Sequence, residues 1–191
     1  MPKRYIPNDK WSKKAAEEGY RARSVYKLME LNEKFYIIRN GMTVLDLGAA
    51  PGSWLQYTAE EVGPKGRVIG IDLTEIEPID NVETYVEDIT NIDAIKKIVP
   101  EEVDLILSDL APKTSGIRDV DQWKSIELSQ AVVETALEIL RPGGKCVLKV
   151  LRGGDFEEFI AECKQRWKKL KVFSVEASRD RSNEIYVILW K

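Results

Sequence analysis

The chain contains no histidine, so any proton transfer that it performs must use a lysine, a carboxylate or a tyrosine. Lys149 stands out for this. It interrupts the apolar run CVLKVL at residues 146–151, where a lysine is rare unless a partner holds it. A second chemical signal is DLGAAPGSW, residues 46–54, preceded by Val44 and Leu45 and followed by a helix-like run. A buried strand ending in a turn of small residues that opens a helix lets the backbone approach a ligand closely, at the carboxyl end of the strand. Acids accompany that turn at expected strand ends: Asp46 beside Gly48, Asp72 in VIGIDL and Asp88 in YVEDIT. Carboxylates accept hydrogen bonds from ribose hydroxyls, and they suit a cationic ligand.

These residues need a scaffold that brings strand ends together. Strand signals fall at Thr43–Leu47 and Arg67–Asp72 and at residues 83–86, 104–108, 145–150, 171–175 and 185–190. Helical spacing is expected over residues 21–35, 54–61, 123–140 and 156–169 and over Ile92–Ile98, with the turn at residues 141–144 stopping the helix over 123–140. Strands alternating with helices imply parallel βαβ units wound on both faces of one sheet, an α/β fold. The last two strands are too close in sequence for a parallel crossover and are expected to pair antiparallel. At 191 residues, with no repeat or linker, the chain is expected to form a single domain, 1–191, with residues 1–20 as a loose basic arm.

Asp72 lies 24 residues after Gly48, near the spacing of a dinucleotide-binding acid. The turn nevertheless reads GAAPG rather than G-x-G-x-x-G, and Pro51 removes a backbone donor that a pyrophosphate would use. The AAPGSW form, with Pro51, Gly52 and Trp54, resembles the S-adenosylmethionine (SAM) loop of Rossmann-like methyltransferases, and in particular the FtsJ/RrmJ family of ribose 2′-O-methyltransferases. The resemblance implies a seven-stranded, mostly parallel sheet with an antiparallel last strand. It implies SAM as cofactor, bound around Asp46, Gly48, Pro51, Gly52, Trp54 and Asp109, with Asp72 on the cofactor ribose and Asp88 on its adenine. It also implies a catalytic set of Lys27 (RSVYKL), Asp109 (LILSDLAP), Lys149 (CVLKVLRGG) and Glu184 (RSNEIYVI), with Lys149 as proton acceptor. A lysine accepts a proton only as the neutral amine. Asp109 and Glu184 would orient it, and Lys27 would steer the hydroxyl or stabilise developing oxyanion charge.

Charge is unevenly distributed. Residues 1–40 carry a balance of +5, residues 41–140 of −13 and residues 141–191 of +5. Basic ends around an acidic middle suit a polyanion gripped by the two ends; a salt-bridged surface is the other reading. Lys3, Arg4, Lys10, Lys13, Lys14, Arg21, Arg23, Arg152, Arg179 and Arg181 are candidate phosphate ligands, with Tyr5, Trp11 and Tyr20 as stacking partners. Residues 113–122 read as a flexible loop near the site. The family resemblance points to structured RNA, most directly a uridine of large-subunit ribosomal RNA, with tRNA or a non-catalytic role in ribosome assembly as alternatives. Cys146 and Cys163 are expected to be reduced, buried thiols, and no metal site is expected. No membrane-spanning run or signal segment is visible, and a cytoplasmic monomer that binds no DNA is expected.

Overall fold

The computed structural model describes residues 10–112, 115–177 and 183–191. Seven strands, β1 (Thr43–Leu47), β2 (Arg67–Asp72), β3 (Val82–Val86), β4 (Val103–Ser108), β5 (Leu140–Leu151), β6 (Lys169–Phe173) and β7 (Glu184–Trp190), form one sheet in the order β3-β2-β1-β4-β5-β7-β6. β7 runs antiparallel to both β5 and β6, and the remaining neighbours pair in parallel. The expected α/β architecture, with its reversed last strand, is the observed one.

Alternate side chains of each strand serve opposite faces. On one face Val44, Val68, Leu105, Val147, Tyr186 and Ile188 pack under helices α2 (Val25–Phe35) and α3 (Ser53–Val62), which contribute Leu28, Leu31 and Leu55. On the other, Leu45, Ile69, Ile106, Cys146 and Leu148 meet helices α4 (Ile92–Ile98), α5 (Arg118–Ile139) and α6 (Phe156–Arg166). Strands covered on both faces read as nearly continuous apolar sequence, which is why a lysine inside one of them is conspicuous.

Three expectations are corrected. The basic arm is not loose over Lys10–Glu17, which form helix α1; residues 1–9, with Lys3, Arg4 and Tyr5, lie outside the described residues. Ala and Lys favour the helix, and its inner side is fixed by buried Ala15 against Val25, Tyr26 and Ala177 and by Trp11, whose ring lies 5.1 Å from that of Tyr26. The Arg141–Gly144 turn is absorbed into the start of β5, which pairs with β4 through a register shift, Gly143 adopting φ +79. The loop after β4 is shorter than expected, because α5 already begins at Arg118; residues 113 and 114 lie outside the described residues.

α2 is tied to α3 by Asn32, a buried amide that accepts from the buried Ile38 N–H (2.9 Å) and donates to the Tyr57 hydroxyl (3.0 Å). Asn32→Leu leaves the Ile38 donor without a partner and is expected to destabilise the protein by about 1–3 kcal/mol. Urea unfolding checks this; a loss below about 0.5 kcal/mol, the range of ordinary surface changes, would show that the amide does not fix the helix end.

Candidate active site

The turn after β1 is held in place by its own backbone and by two charged side chains. Gly48 has φ +81 and a Cβ there would run into Leu110; Gly52, the residue before α3, has φ +106. Both positions therefore require glycine. The Gly48 and Ala49 N–H groups donate to the Ile71 carbonyl, and the Ala50–Pro51 peptide is cis. Asp72 accepts from the Ala50 N–H (3.0 Å) through one carboxylate oxygen and from the Thr74 N–H (2.8 Å) through the other. From the opposite side the Arg21 guanidinium donates to the carbonyls of Pro51, Glu77 and Pro78 at 3.1, 2.8 and 2.9 Å. Arg21 is thus a clamp on the turn rather than a phosphate ligand, a role that its basic surroundings in the sequence concealed.

Asp46, Gly48, Ala49, Ala50, Ser53, Trp54, Ser24 and Asp109 line one small pocket at this turn. Asp46 is only 2% exposed, and neither of its carboxylate oxygens has a partner among the described residues. Burial first, then the nearby carboxylates of Asp109 and Asp72, pushes its carboxyl well above the usual range. A buried carboxyl group without a partner is costly, and a cationic, hydrogen-bond-donating ligand would relieve it. Asp46 is the penultimate residue of β1, Asp72 the last of β2 and Asp88 lies two residues past β3, so the three acids mark the carboxyl ends of strands that are neighbours in the sheet. Asp88 is exposed and is occupied locally: it accepts from the Thr90 N–H and hydroxyl at 2.9 and 2.8 Å, and these bonds hold its carboxyl below the usual range. The Trp54 indole is spent on the scaffold. It is 3% exposed, donates to the Ser24 carbonyl (2.8 Å) and stacks near Tyr186 (6.1 Å between ring centres).

Next to this pocket the four residues of the expected catalytic set meet. The Lys149 ammonium, near the end of β5, donates to the Asp109 carbonyl (2.7 Å) and lies 3.1 Å from the Asp109 carboxylate and 3.6 Å from that of Glu184. Glu184, at the start of antiparallel β7, also accepts from Lys27 of α2 at 2.6 Å. Both lysine side chains are under one-tenth exposed. One residue was missed by the sequence reading: Tyr186, fully buried, donates to Asp109 Oδ1 at 2.6 Å. Burial, then Asp109, pushes its phenol well up, so it remains a donor. The signal for it was faint: it sits two residues after Glu184 on the same strand face, opposite Lys149 in register.

Of the proposed stacking residues, Trp11 lies against Tyr26, and the Tyr20 hydroxyl donates to Glu60. Lys10 and Lys13 lie exposed on α1, while Arg152 immediately follows β5 and places its guanidinium 5.7 Å from the Phe156 ring. Arg179 and Arg181 lie outside the described residues.

Comparison with known proteins decides the family. The FtsJ-like methyltransferase profile matches residues 20–191. The chain belongs to that family. Among curated FtsJ-like relatives, ribosomal RNA large subunit methyltransferase E of Methanothrix thermoacetophila is 46% identical over 183 residues, covering 94% of this chain and 71% of that protein. The protein of the same name from Desulforapulum autotrophicum is 40% identical over 193 residues, covering 98% and 94%. A ribosomal RNA methyltransferase of Plasmodium falciparum superposes with a TM-score of 0.80 at 27% identity, covering 90% of this chain and 97% of that one. Fibrillarin of Aeropyrum pernix, crystallised with natively bound S-adenosyl-L-methionine, shares the fold at a TM-score of 0.63 and 17% identity, covering 87% and 76%. The FtsJ-like chain is therefore a methyltransferase that uses SAM, and the unpartnered Asp46 carboxyl in the glycine-turn pocket fits a cationic cofactor.

Asp46 is expected to couple cofactor binding to stability. In the cofactor-free protein its folded-state value is raised, so the folded chain retains a proton that the unfolded chain releases above about pH 4, and stability falls as pH rises from there. Asp46→Asn is expected to raise the neutral-pH Tm by several degrees, to flatten that pH dependence, and to weaken SAM binding about tenfold or more. Scanning calorimetry against pH and titration with SAM measure both; a variant of unchanged stability and unchanged affinity would contradict the assignment. Asp72→Ala, which frees the Ala50 and Thr74 donors, is expected to weaken SAM binding by about 1–3 kcal/mol, and calorimetry showing native affinity would count against its role.

Proposed function

We propose that this methyltransferase transfers the methyl group of SAM to a ribose 2′-hydroxyl, that of a uridine in large-subunit ribosomal RNA. The observation that carries the reading is the Lys149 amine, held by Asp109 and Glu184 beside the cofactor turn in a chain without histidine. Bound at the turn, SAM supplies an electrophilic methyl group. Asp46 would face its cationic part, Asp72 would hold its ribose hydroxyls and Asp88 its adenine, and Gly48, Pro51, Gly52 and the backbone of Trp54 would shape the cradle.

The acceptor hydroxyl is a weak acid and must lose its proton as the new bond forms. Lys149, an ammonium in the resting site, first gives its own proton to water, and its Nζ, then the neutral amine, takes the hydroxyl proton. Asp109 and Glu184 fix the direction of the amine, and Lys27, bound to Glu184, places a positive charge where the oxygen becomes anionic. Tyr186 keeps the Asp109 carboxylate from turning away. Much of the acceleration comes from alignment of the hydroxyl with the methyl donor.

The acceptor excludes DNA on chemical grounds, since DNA has no 2′-hydroxyl. Ribosomal RNA is favoured over tRNA by the names of the relatives, and a catalytic role over a purely RNA-binding one by the complete charged set. No helix among the described residues is long and apolar enough to cross a membrane, and the reading places the enzyme in the cytoplasm as a monomer.

The expected outcome with wild-type enzyme, SAM and large ribosomal subunits or their RNA is one new alkali-resistant 2′-O-methylated uridine, mapped by nuclease digestion and mass spectrometry. Lys149→Ala is expected to lower the rate by about 10²–10⁴-fold with near-native SAM affinity. Methylation of a base, or of tRNA alone, would overturn the substrate; a Lys149→Ala enzyme within a few-fold of wild type would overturn the role of the amine.

A further inference from the structure

The end of the sheet remote from the catalytic cleft carries a second concentration of positive charge that the reaction does not use. Lys169 and Lys171 lie exposed on the edge strand β6, and Lys145 on β5 shares with Lys169 a register position opposite Trp190 of β7. The Lys145 ammonium donates to the Tyr36 carbonyl (3.2 Å) and stands 6.0 Å from the Trp190 ring centre. Lys169 lies 4.8 Å from the same ring centre, and Lys171 lies 5.8 Å from that of Phe35. Burial lowers the Lys145 ammonium from its ordinary value, and the neighbouring charges of Arg39 and Lys169 lower it further. Among the described residues, none of Arg39, Lys145, Lys169 and Lys171 takes part in an ion pair. Elsewhere on the surface the cations Arg67, Lys96, Arg141 and Arg166 each have a carboxylate partner. Beside this cluster Tyr36, at φ +48 just past α2, is 76% exposed.

The cluster is connected to the cleft by two rigid elements. α2 begins near Lys27 and ends at Phe35, a rise of about 12 Å between the two. β7 begins at Glu184 and ends at Trp190, about 20 Å further along the sheet. Both present this side to the same face, where Phe35, Phe173, Tyr186 and Trp190 belong to one packed layer. A polyanion lying in the cleft and continuing along that face would meet the cluster after roughly four to six phosphates, at about 3.4 Å per phosphate along one strand of a duplex.

We propose that Arg39, Lys145, Lys169 and Lys171, with Tyr36 as a stacking surface, form a second RNA-binding site that grips the backbone of the substrate about 12–20 Å from the methylated nucleotide. The proposal rests on RNA being the substrate. It gives the enzyme a ruler: an RNA reaching only the cleft is held by the catalytic end alone, whereas an extended RNA is held at both. Lys149 and Lys27 do the chemistry, and this site selects for length and shape without reading bases.

The test compares wild type with Arg39→Gln/Lys169→Gln/Lys171→Gln, three exposed changes that remove charge but keep an unbranched polar side chain. Two RNAs are used: a short oligoribonucleotide carrying the methylated nucleotide with about two neighbours on each side, and a large-subunit RNA fragment extending about ten nucleotides further, beyond the reach set by phosphate spacing. The expected result is a loss of about ten-fold or more in affinity for the long RNA at low salt. The slope of log affinity against log salt should become shallower by roughly two to three, as three phosphate contacts would require. Thermal stability, SAM affinity and kcat/KM on the short RNA should match wild type. Equal losses on both RNAs would overturn the proposal, because the effect would then act through the cleft or the fold. Native affinity and an unchanged slope on the long RNA would also overturn it and would leave the cluster to an acidic protein partner. A wild-type enzyme that methylates the long RNA while the variant binds it normally defeats this proposal alone; a wild-type enzyme that neither binds nor methylates either RNA defeats the substrate assignment with it.

Discussion

The arrangement of the whole molecule follows from one buried ammonium. Lys149 is 6% exposed in a strand whose apolar neighbours Val147, Leu148 and Val150 are sealed from water. An isolated charge in such a place would cost several kcal/mol. It is tolerated because the Asp109 carbonyl and carboxylate and the Glu184 carboxylate surround it. Those acids are themselves held, Glu184 by Lys27 and Asp109 by Tyr186. The balance of two cations and two anions draws on α2, the end of β4, β5 and β7. It can form only if β7 enters the sheet reversed beside β5, so that its beginning meets the ends of the parallel strands. Removing any one member would leave another buried charge uncompensated, which is why the fold and the chemistry are not separable here.

The cofactor turn obeys a different economy. Its glycines, the Arg21 clamp and the Asp72 carboxylate satisfy the backbone of the turn without any ligand. Asp46 does the opposite, remaining buried with neither oxygen paired among the described residues. The cradle is thus preformed in its backbone and strained in its electrostatics, the combination expected where a cationic ligand supplies the missing partner.

Much of this was legible in the sequence. β1, β2 and α4 fall where periodicity and turn residues place them, because buried parallel strands leave long apolar runs bounded by Gly and Asp. The strand-end acids and the lone lysine of CVLKVL could be read as a site because each breaks such a run. Other parts were not legible, for identifiable reasons. α1 is short and mostly polar, and only its contact with Tyr26 and Ala177 makes it a helix of the fold. Arg21 and Tyr20 looked like RNA ligands because sequence cannot show that backbone carbonyls and Glu60 already occupy them. Trp54 belongs to the cofactor motif, yet its indole is core. Tyr186 was hidden in an apolar strand where a tyrosine is ordinary.

The central claim is that the caged Lys149 amine accepts the proton of the acceptor hydroxyl rather than merely presenting a positive charge to it. Lys149→Arg separates the two, because a guanidinium keeps the charge and the hydrogen-bonding capacity but stays protonated and cannot act as acceptor. The decisive measurement is the single-turnover rate of Lys149→Arg in a preformed complex with SAM and RNA, alongside the affinity of the variant for each. The account predicts a rate reduced by about 10²–10⁴-fold with both ligands still bound. A near-native rate would mean that Lys149 acts through its charge alone and would contradict the mechanism.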